Sequence, residues 1–304
     1  MEKNSIKGRG DFVIFHFDKM EKSIIEKFSF RKILSLPNYY ILRSDYMESS
    51  LPEKTSDILV VVIMPAYNVA QVLPKTVASL PKKHFSEIIL VDDGSTDETA
   101  SVGEKLGLKV ISHARNRGYG GAQKTGYKAA IERGADVVVM VHGDNQYDPT
   151  LLPKFVSKVR EGYDVVSGSR MILGDVLKNG MPIWKFIPNR FLTWLENKTF
   201  NTSLTDYHNG YRAYSGAFLK KIPFDLLSDR FDFDTDILVQ AAILRSKIAE
   251  IPHPTRYLKE NSQMSFSKGV IYGLGILKTI FLYQLHKHNL WRQPVFEKSS
   301  LHRG

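Results

Sequence analysis

Three stretches decide the fold: ILVVVIM-PAYN (Ile58–Asn68), EIILV-DDGSTD (Glu87–Asp97) and DVVVMV-HGDNQ (Asp136–Gln146). Each opens on a short apolar run rich in β-branched residues and closes on a polar turn. Such runs read as strands buried on both faces, the pattern of a parallel sheet. In an open α/β sheet, ligands gather beyond the carboxyl ends of the strands. The three turns are therefore expected on one rim of one sheet, where their carboxylates can meet a nucleotide and its divalent ion.

The same alternation continues outward. The pattern predicts strands at 58–64, 87–92, 108–112, 136–142 and 164–168. Helices are predicted near 69–80, 96–106, 120–133 and 150–161. Alternating strands and helices imply a doubly wound, mostly parallel sheet with helices on both faces. Ser95 and Glu98 have the spacing of a capping box for the second helix. After Arg170 the character changes. Gly174, Gly180, Pro182 and Pro188 precede an amphipathic stretch around Phe191–Phe200. Ile237–Leu244 reads as a helix and Lys247–Pro252 as a strand. Residues 1–56 form an extension, with a possible strand at Phe12–Phe17, an amphipathic helix at Lys19–Leu36 and a linker at Leu51–Asp57. Met1–Gly10 lacks the apolar core of a signal peptide. The expected organisation is thus an extension over 1–56, a catalytic domain over 57–266 and a basic helical segment over 267–304.

Composition narrows the chemistry. The 304 residues, 43% hydrophobic and 24% charged, suit a globular protein with a sizeable core. The chain has no cysteine, so disulfides and thiol chemistry are excluded and any metal must rest on Asp, Glu, His, Asn or Gln. The net charge of +10 suits anionic partners, namely nucleic acid, anionic lipid or phosphorylated substrates. Part of that charge lies past Ser267, where Lys268, Lys278, Lys287, Arg292, Lys298 and Arg303 face only Glu297. No nucleic-acid recognition motif accompanies it. The apolar segment Val270–Leu285 covers 16 residues, short of the roughly 20 that cross a bilayer. It is expected at a membrane interface or on the protein's own core, not spanning. A cytoplasmic protein held peripherally on a membrane is the expected setting.

Asp144 is the leading metal-ligand candidate, in a glycine-containing turn three residues beyond a buried strand; a helix N-cap is the plainer reading. Gln146 offers a carbonyl oxygen to the ion or to its water. Asp92 and Asp93 follow the second strand directly. An ionised carboxylate only accepts hydrogen bonds, so either can bind a base or ribose, or simply hold a DG turn. The loop His113–Gly121 (HARNRGYGG) opens a helix whose N–H groups favour anions. It is misplaced for a dinucleotide fingerprint, which follows the first strand of such folds.

PAYN, VDDGSTD, the Asp144 station, SGSR (Ser167–Arg170), HNGYRAYS (His208–Ser215) and FDFDTDILVQA (Phe231–Ala241) occur in order. In this the chain resembles the family 2 glycosyltransferases of GT-A fold, most of all the dolichol-phosphate mannosyltransferase and polyprenyl-phosphate glycosyltransferase branch. The resemblance covers about Ile58 to His288. It implies a donor site of Pro65, Tyr67, Asn68, Asp92, Asp93, Asn116, Gly118, His142 and Gly143. It implies Mg2+ or Mn2+ on Asp144 and Gln146. It gives catalytic roles to Asp206, Arg170 and Arg212, and acceptor-phosphate contacts to Arg170, Arg212 and Arg256. Two positions depart from the family pattern: Val69 replaces a glutamate after PAYN, and His142 replaces the first aspartate of the metal motif.

The resemblance further implies an inverting transfer of a hexose from a nucleotide-sugar to a polyprenyl phosphate. A phosphate acceptor is already anionic, its second pKa being about 6, and needs no strong base. A hydroxyl acceptor on a soluble glycan or protein would need one, and Asp206 is then the leading group. A third reading, suggested by His142 and Val69, is a nucleotide-sugar-binding module without catalysis.

Overall fold

The computed structural model describes residues 58–143, 147–253 and 266–297. The expectations for residues 1–56 and the linker at Leu51–Asp57 lie outside the described residues, as do Asp144, Gln146 and Arg256.

Among the described residues seven strands form one sheet: β1 (Val60–Ala66), β2 (Glu87–Asp92), β3 (Lys109–Ser112), β4 (Val137–Met140), β5 (Val165–Ser169), β6 (Arg212–Ser215) and β7 (Ile248–Pro252). Their order is β3-β2-β1-β4-β6-β5-β7. Every pairing is parallel except those of β6, which runs antiparallel between β4 and β5. The expected mostly parallel α/β sheet is present.

Side chains along β1 alternate between two cores. Val61 and Ile63 enter one, and Val60, Val62 and Met64 the other. This is why the run is apolar at every position. The first core is closed by α3 (Tyr119–Glu132) and α7 (Phe233–Ile243). The second is closed by α1 (Leu73–Ser79) and α4 (Leu152–Arg160). The remaining helices are α2 (Thr99–Lys105), α5 (Ile183–Phe200), α6 (Gly216–Leu219) and α8 (Phe266–Lys287).

Four features differ from the sequence expectation. First, α1 starts at Leu73, not Val69. Asn68 stands at φ +53° and Val69 closes a turn through its carbonyl, which accepts from Val72 and Leu73 N–H. Second, the capping box is not made. Ser95 Oγ accepts from Asn68 N at 2.9 Å, while Asp97 accepts from Thr99 N at 3.0 Å at the start of α2. Third, β6 was unforeseen, since four residues containing Arg and Tyr give no strand period. Being antiparallel, β6 begins at the rim where its parallel neighbours end, which brings the preceding Asp206–Tyr211 to that rim. Fourth, α5 begins eight residues before the predicted amphipathic stretch and runs through Pro188.

The C-terminal apolar segment is also longer than its sequence reading. Helix α8 has 22 residues, about 33 Å at 1.5 Å per residue. It is long and apolar enough to cross a membrane by length and composition, so the length argument against spanning does not hold. Ile276 and Ile280 pack against Leu192, Phe200, Val239 and Phe296. Phe266, Ile271, Leu274 and Phe281 remain exposed.

Candidate active site

The carboxyl ends of β1, β2, β4 and β5 open into one cavity of about 940 Å³. Of the expected donor residues, Pro65, Tyr67, Asp93, Asn116, Gly118, His142 and Gly143 line it, together with Val69. Arg170 lines it too. Asn68 and Asp92 do not, and both have local work. Asn68 Oδ1 accepts from Thr96 N at 2.8 Å, lacing the PAYN turn to the DGST turn. Asp92 is buried and accepts from Ser95 N at 3.1 Å, closing its own turn. Asp93 faces the cavity but is heavily committed. It accepts from Arg117 N at 2.8 Å and Gly118 N at 2.9 Å, and meets His113 Nδ1 at 2.6 Å.

The glycine loop does not present a free anion site. Gly120 N and Gly121 N donate to the Asp229 carbonyl at 2.9 and 3.2 Å. A Cβ at Gly120 would stand 2.5 Å from the Ser228 carbonyl. The glycines therefore serve close packing of α3 on the 228–230 segment.

A polar cluster occupies the floor beside β4. Tyr119 Oη donates to Asp234 Oδ2 at 3.1 Å and lies 3.0 Å from His142 Nε2. Gln123 Nε2 donates to Asp234 Oδ1 at 3.2 Å. Tyr119 thus joins His142, just past the end of β4, to Asp234 at the start of α7. A Cβ on Gly210 would lie 2.7 to 2.9 Å from Tyr119 Oη, Tyr147 Oη and His142 Nε2, so only glycine fits beneath them.

Arg170 extends from the end of β5 and is clamped. Its Nε and Nη2 donate to Asp206 at 2.7 and 2.9 Å, and Nη2 also donates to the His208 carbonyl at 2.8 Å. Asp206 takes further bonds from Arg170 N, Asn189 Nδ2 and His208 N. Burial alone would raise the Asp206 carboxyl, but the Arg170 charge and these bonds outweigh it and hold it well below the usual carboxylate range. Asp206 is fully buried, absent from the cavity wall and permanently ionised. In this structure Asp206 braces Arg170 rather than facing the cavity as the expected base would.

Arg212 is likewise absent from the cavity wall. It is 0% exposed and donates to the Tyr207 carbonyl at 2.7 Å and the Asp234 carbonyl at 2.6 Å. A guanidinium so enclosed pins α7 to the segment before β6. Sequence reasoning gave no role to Asp234, Tyr119, Tyr147, Lys185 or Tyr272, all of which line the cavity. Asp234 and Tyr119 stood inside quoted motifs, FDFDTD and HARNRGYGG, and that was their only signal.

Beneath Asp206, Glu250 accepts from Thr205 N at 2.8 Å, Thr205 Oγ1 at 2.9 Å and Asp206 N at 3.2 Å. Burial outweighs these bonds and pushes its carboxyl from 4.5 up to about 7. A carboxyl raised by folding leaves the folded state binding more protons than the unfolded chain in that interval. Its favourable contribution is therefore complete below 4.5 and is lost as pH rises through about 7. Denaturant unfolding of wild type and Glu250→Gln is expected to show wild type losing stability relative to the variant across that window. Parallel pH dependences would contradict it.

The family model described as Glycosyl transferase family 2 matches residues 61–222. An uncharacterized protein of Methanocaldococcus jannaschii is 36% identical over 228 residues, covering 74% of this chain and 91% of that protein. The UDP-N-acetylglucosamine–dolichyl-phosphate N-acetylglucosaminyltransferase of Methanococcus voltae is 30% identical over 76% of this chain and 98% of its own length. The undecaprenyl-phosphate mannosyltransferase of Micrococcus luteus is 30% identical over 70% and 89%. Among solved structures, glucosyl-3-phosphoglycerate synthase of Mycobacterium tuberculosis, in complex with Mn2+, UDP-glucose and phosphoglyceric acid, superposes with a TM-score of 0.59 at 18% identity, covering 75% of this chain and 80% of that one.

The α/β sheet with its rim cavity is thus a GT-A fold, and the site belongs to the class of nucleotide-sugar-dependent glycosyltransferases. The chain is a member of glycosyl transferase family 2.

Proposed function

We propose that this enzyme transfers a hexose, with inversion, from a nucleotide-sugar to a polyprenyl (dolichyl) phosphate. One observation carries the reading: a single cavity has two unlike linings. Asp93, Asn116, His142 and Arg170 line it from the sheet rim, and Trp184, Phe191, Phe266, Leu274 and Leu277 line it from α5 and α8. A polar nucleotide-sugar suits the first lining. A phosphate on an isoprenoid tail suits the second, with Arg170 at the phosphate. Arg256, outside the described residues, is proposed beside it. The enclosure of Asp206 favours the same reading, because a phosphate oxygen needs no base whereas a sugar hydroxyl does.

A divalent cation is part of the proposal. Asp144 and Gln146 would hold it, with His142 adjacent. The imidazole of His142, where a carboxylate is usual, favours a manganese ion over a magnesium ion, since imidazole is a softer ligand than carboxylate. When bound, the cation would neutralise charge on the departing diphosphate. Arg170 and the residues of the PAYN and DDG turns bind and orient the two substrates.

The acceptor's tail requires a lipid surface. On α5, Trp184 and Trp194 are 41% and 54% exposed, with exposed Ile183, Ile187 and Phe191; Trp184 meets Phe266 of α8 edge to face at 5.4 Å, and Ile271, Leu274 and Phe281 on that helix are exposed too. Tryptophans on an apolar, lysine-bearing face match the headgroup zone of a bilayer. Helix α5 joins α8 in this face, so the expected contact is broader than the C-terminal segment alone.

The test combines transfer and flotation. Radiolabelled sugar is expected in the organic phase when a polyprenyl phosphate is offered. Wild type is expected to float with anionic liposomes, and Ile271→Glu with Leu274→Glu to remain at the bottom of the gradient. Label found only on soluble glycans or proteins would refute the lipid acceptor.

A further inference from the structure

We propose that Tyr272 is a positioning residue that passes the seating of the apolar helix α8 to Arg170 through His208; this rests on the reading of Arg170 as the acceptor-phosphate contact. Tyr272 Oη lies 2.9 Å from His208 Nδ1, with the rings edge to face at 5.5 Å. The other ring nitrogen of His208 lies 3.3 Å from Glu196 Oε2 on α5. Glu196 is fully buried and accepts from Thr235 Oγ1 on α7 at 3.1 Å. The main chain of the same histidine holds the ion pair. Its carbonyl accepts from Arg170 Nη2 at 2.8 Å, and its N–H donates to Asp206 Oδ1 at 3.1 Å.

One residue is thus fastened by its ring to α8 and α5 and by its backbone to the Arg170–Asp206 pair. The rest of α8 docks through Ile276 and Ile280 and through Thr279 Oγ1, which donates to Asp236 Oδ1 on α7 at 3.3 Å. Apolar contacts are non-directional and tolerate small rotation and sliding. A hydrogen bond weakens steeply as its angle departs from linear. The Tyr272–His208 bond, together with the longer Thr279–Asp236 bond, therefore sets the register that the apolar contacts leave loose, and of the two it is the one that leads to Arg170. Burial, opposed only in part by Asp206, pushes the His208 imidazole down to about 3, so the ring is neutral. A neutral ring has one donor and one acceptor nitrogen, and Tyr272 occupies the Nδ1 side.

Two other functions for the Tyr272 hydroxyl are less consistent with these contacts. Although its side chain lines the cavity, it is not placed as a base, because burial pushes its hydroxyl well above the ordinary tyrosine value and keeps it protonated. It is not needed to fill space, because phenylalanine would fill the same volume.

The full-length protein is titrated by calorimetry with dodecyl phosphate, as an acceptor analogue, and separately with UDP and GDP in the presence of Mn2+. Tyr272→Phe is expected to weaken dodecyl phosphate binding about tenfold, the loss of one net hydrogen bond. Nucleotide affinity and the thermal midpoint are expected to stay near wild type. In transfer assays the same variant is expected to raise KM for the acceptor with little change in kcat. His208→Gln, which retains the backbone bonds to Arg170 and Asp206, is expected to do the same and covers the case of a poorly folding phenylalanine variant. Unchanged dodecyl phosphate affinity in both variants overturns the proposal. So does an equal loss of nucleotide and dodecyl phosphate binding, which marks a merely structural role. A wild type that binds dodecyl phosphate, with the expected Tyr272→Phe loss, yet transfers no sugar to polyprenyl phosphate sinks the functional reading and leaves the coupling standing.

Discussion

Arg170→Ala is expected to abolish measurable sugar transfer and to destabilise the fold by about 3–5 kcal/mol, the cost of leaving one partner of a buried ion pair uncompensated. Both effects come from the same clamp. The Arg170 side chain lines the cavity, while its partner Asp206 is fully buried. Removing the guanidinium takes away the cation proposed for the acceptor phosphate. It also strands a carboxylate whose remaining donors are Asn189 and main-chain N–H groups. The two effects separate in a double variant. Arg170→Ala with Asp206→Asn removes the stranded charge, so unfolding by denaturant is expected to show most of the stability restored while transfer stays absent. Restored transfer in the double variant would mean that Arg170 acts only through Asp206 and touches no substrate. Arg170→Lys is expected to keep the charge but lose the fork that grips Asp206 with two nitrogens, giving intermediate stability and weak activity.

Asp144→Asn is expected to lower kcat by about 10² to 10³, the range for losing one group that stabilises charge at the reacting centre. The carboxamide is nearly isosteric with the carboxylate, so the fold should be unaffected. Manganese affinity, read by electron paramagnetic resonance on the protein with bound nucleoside diphosphate, should fall in parallel. A chelator should silence wild type, with recovery on added Mn2+ or Mg2+. Transfer that survives both the chelator and Asp144→Asn would remove the metal from the proposal and leave the arginines to carry the diphosphate charge.

Much of the framework was legible because the parallel strands carry unbroken apolar runs. Val60 to Met64 alternate between two cores, and a run buried on both faces cannot be disguised. The rim position of PAYN, DDG and His142 follows from strand polarity alone. The division of labour inside DDG was not legible. Asp92 and Asp93 are chemically the same, and only the fold turns one inward to Ser95 and the other toward the cavity and His113. The expected helix cap failed for a related reason: Ser95 and Glu98 had the spacing of a local pair, but Asn68, 27 residues away, took the serine hydroxyl.

Arg212 and Asp206 show the larger gap. Both stand in a polar segment that reads as a loop open to solvent and phosphate. The antiparallel strand β6 threads that segment through the centre of the sheet, between β4 and β5, so Arg212 is enclosed and Asp206 becomes a buried counter-ion. Nothing local marks a four-residue strand that carries an arginine and a tyrosine, because its stability comes from pairing with β4 and β5.

By itself the sequence determined the sheet, the rim and the family, because periodicity and motif spacing are written along the chain and each depends on near neighbours. Only the tertiary structure decided which charges meet solvent, which brace others, and that α5 and α8 turn an apolar wall toward the cavity. Those outcomes depend on burial and on contacts between residues far apart in the chain, and the free energy of a charge is set by what surrounds it in space.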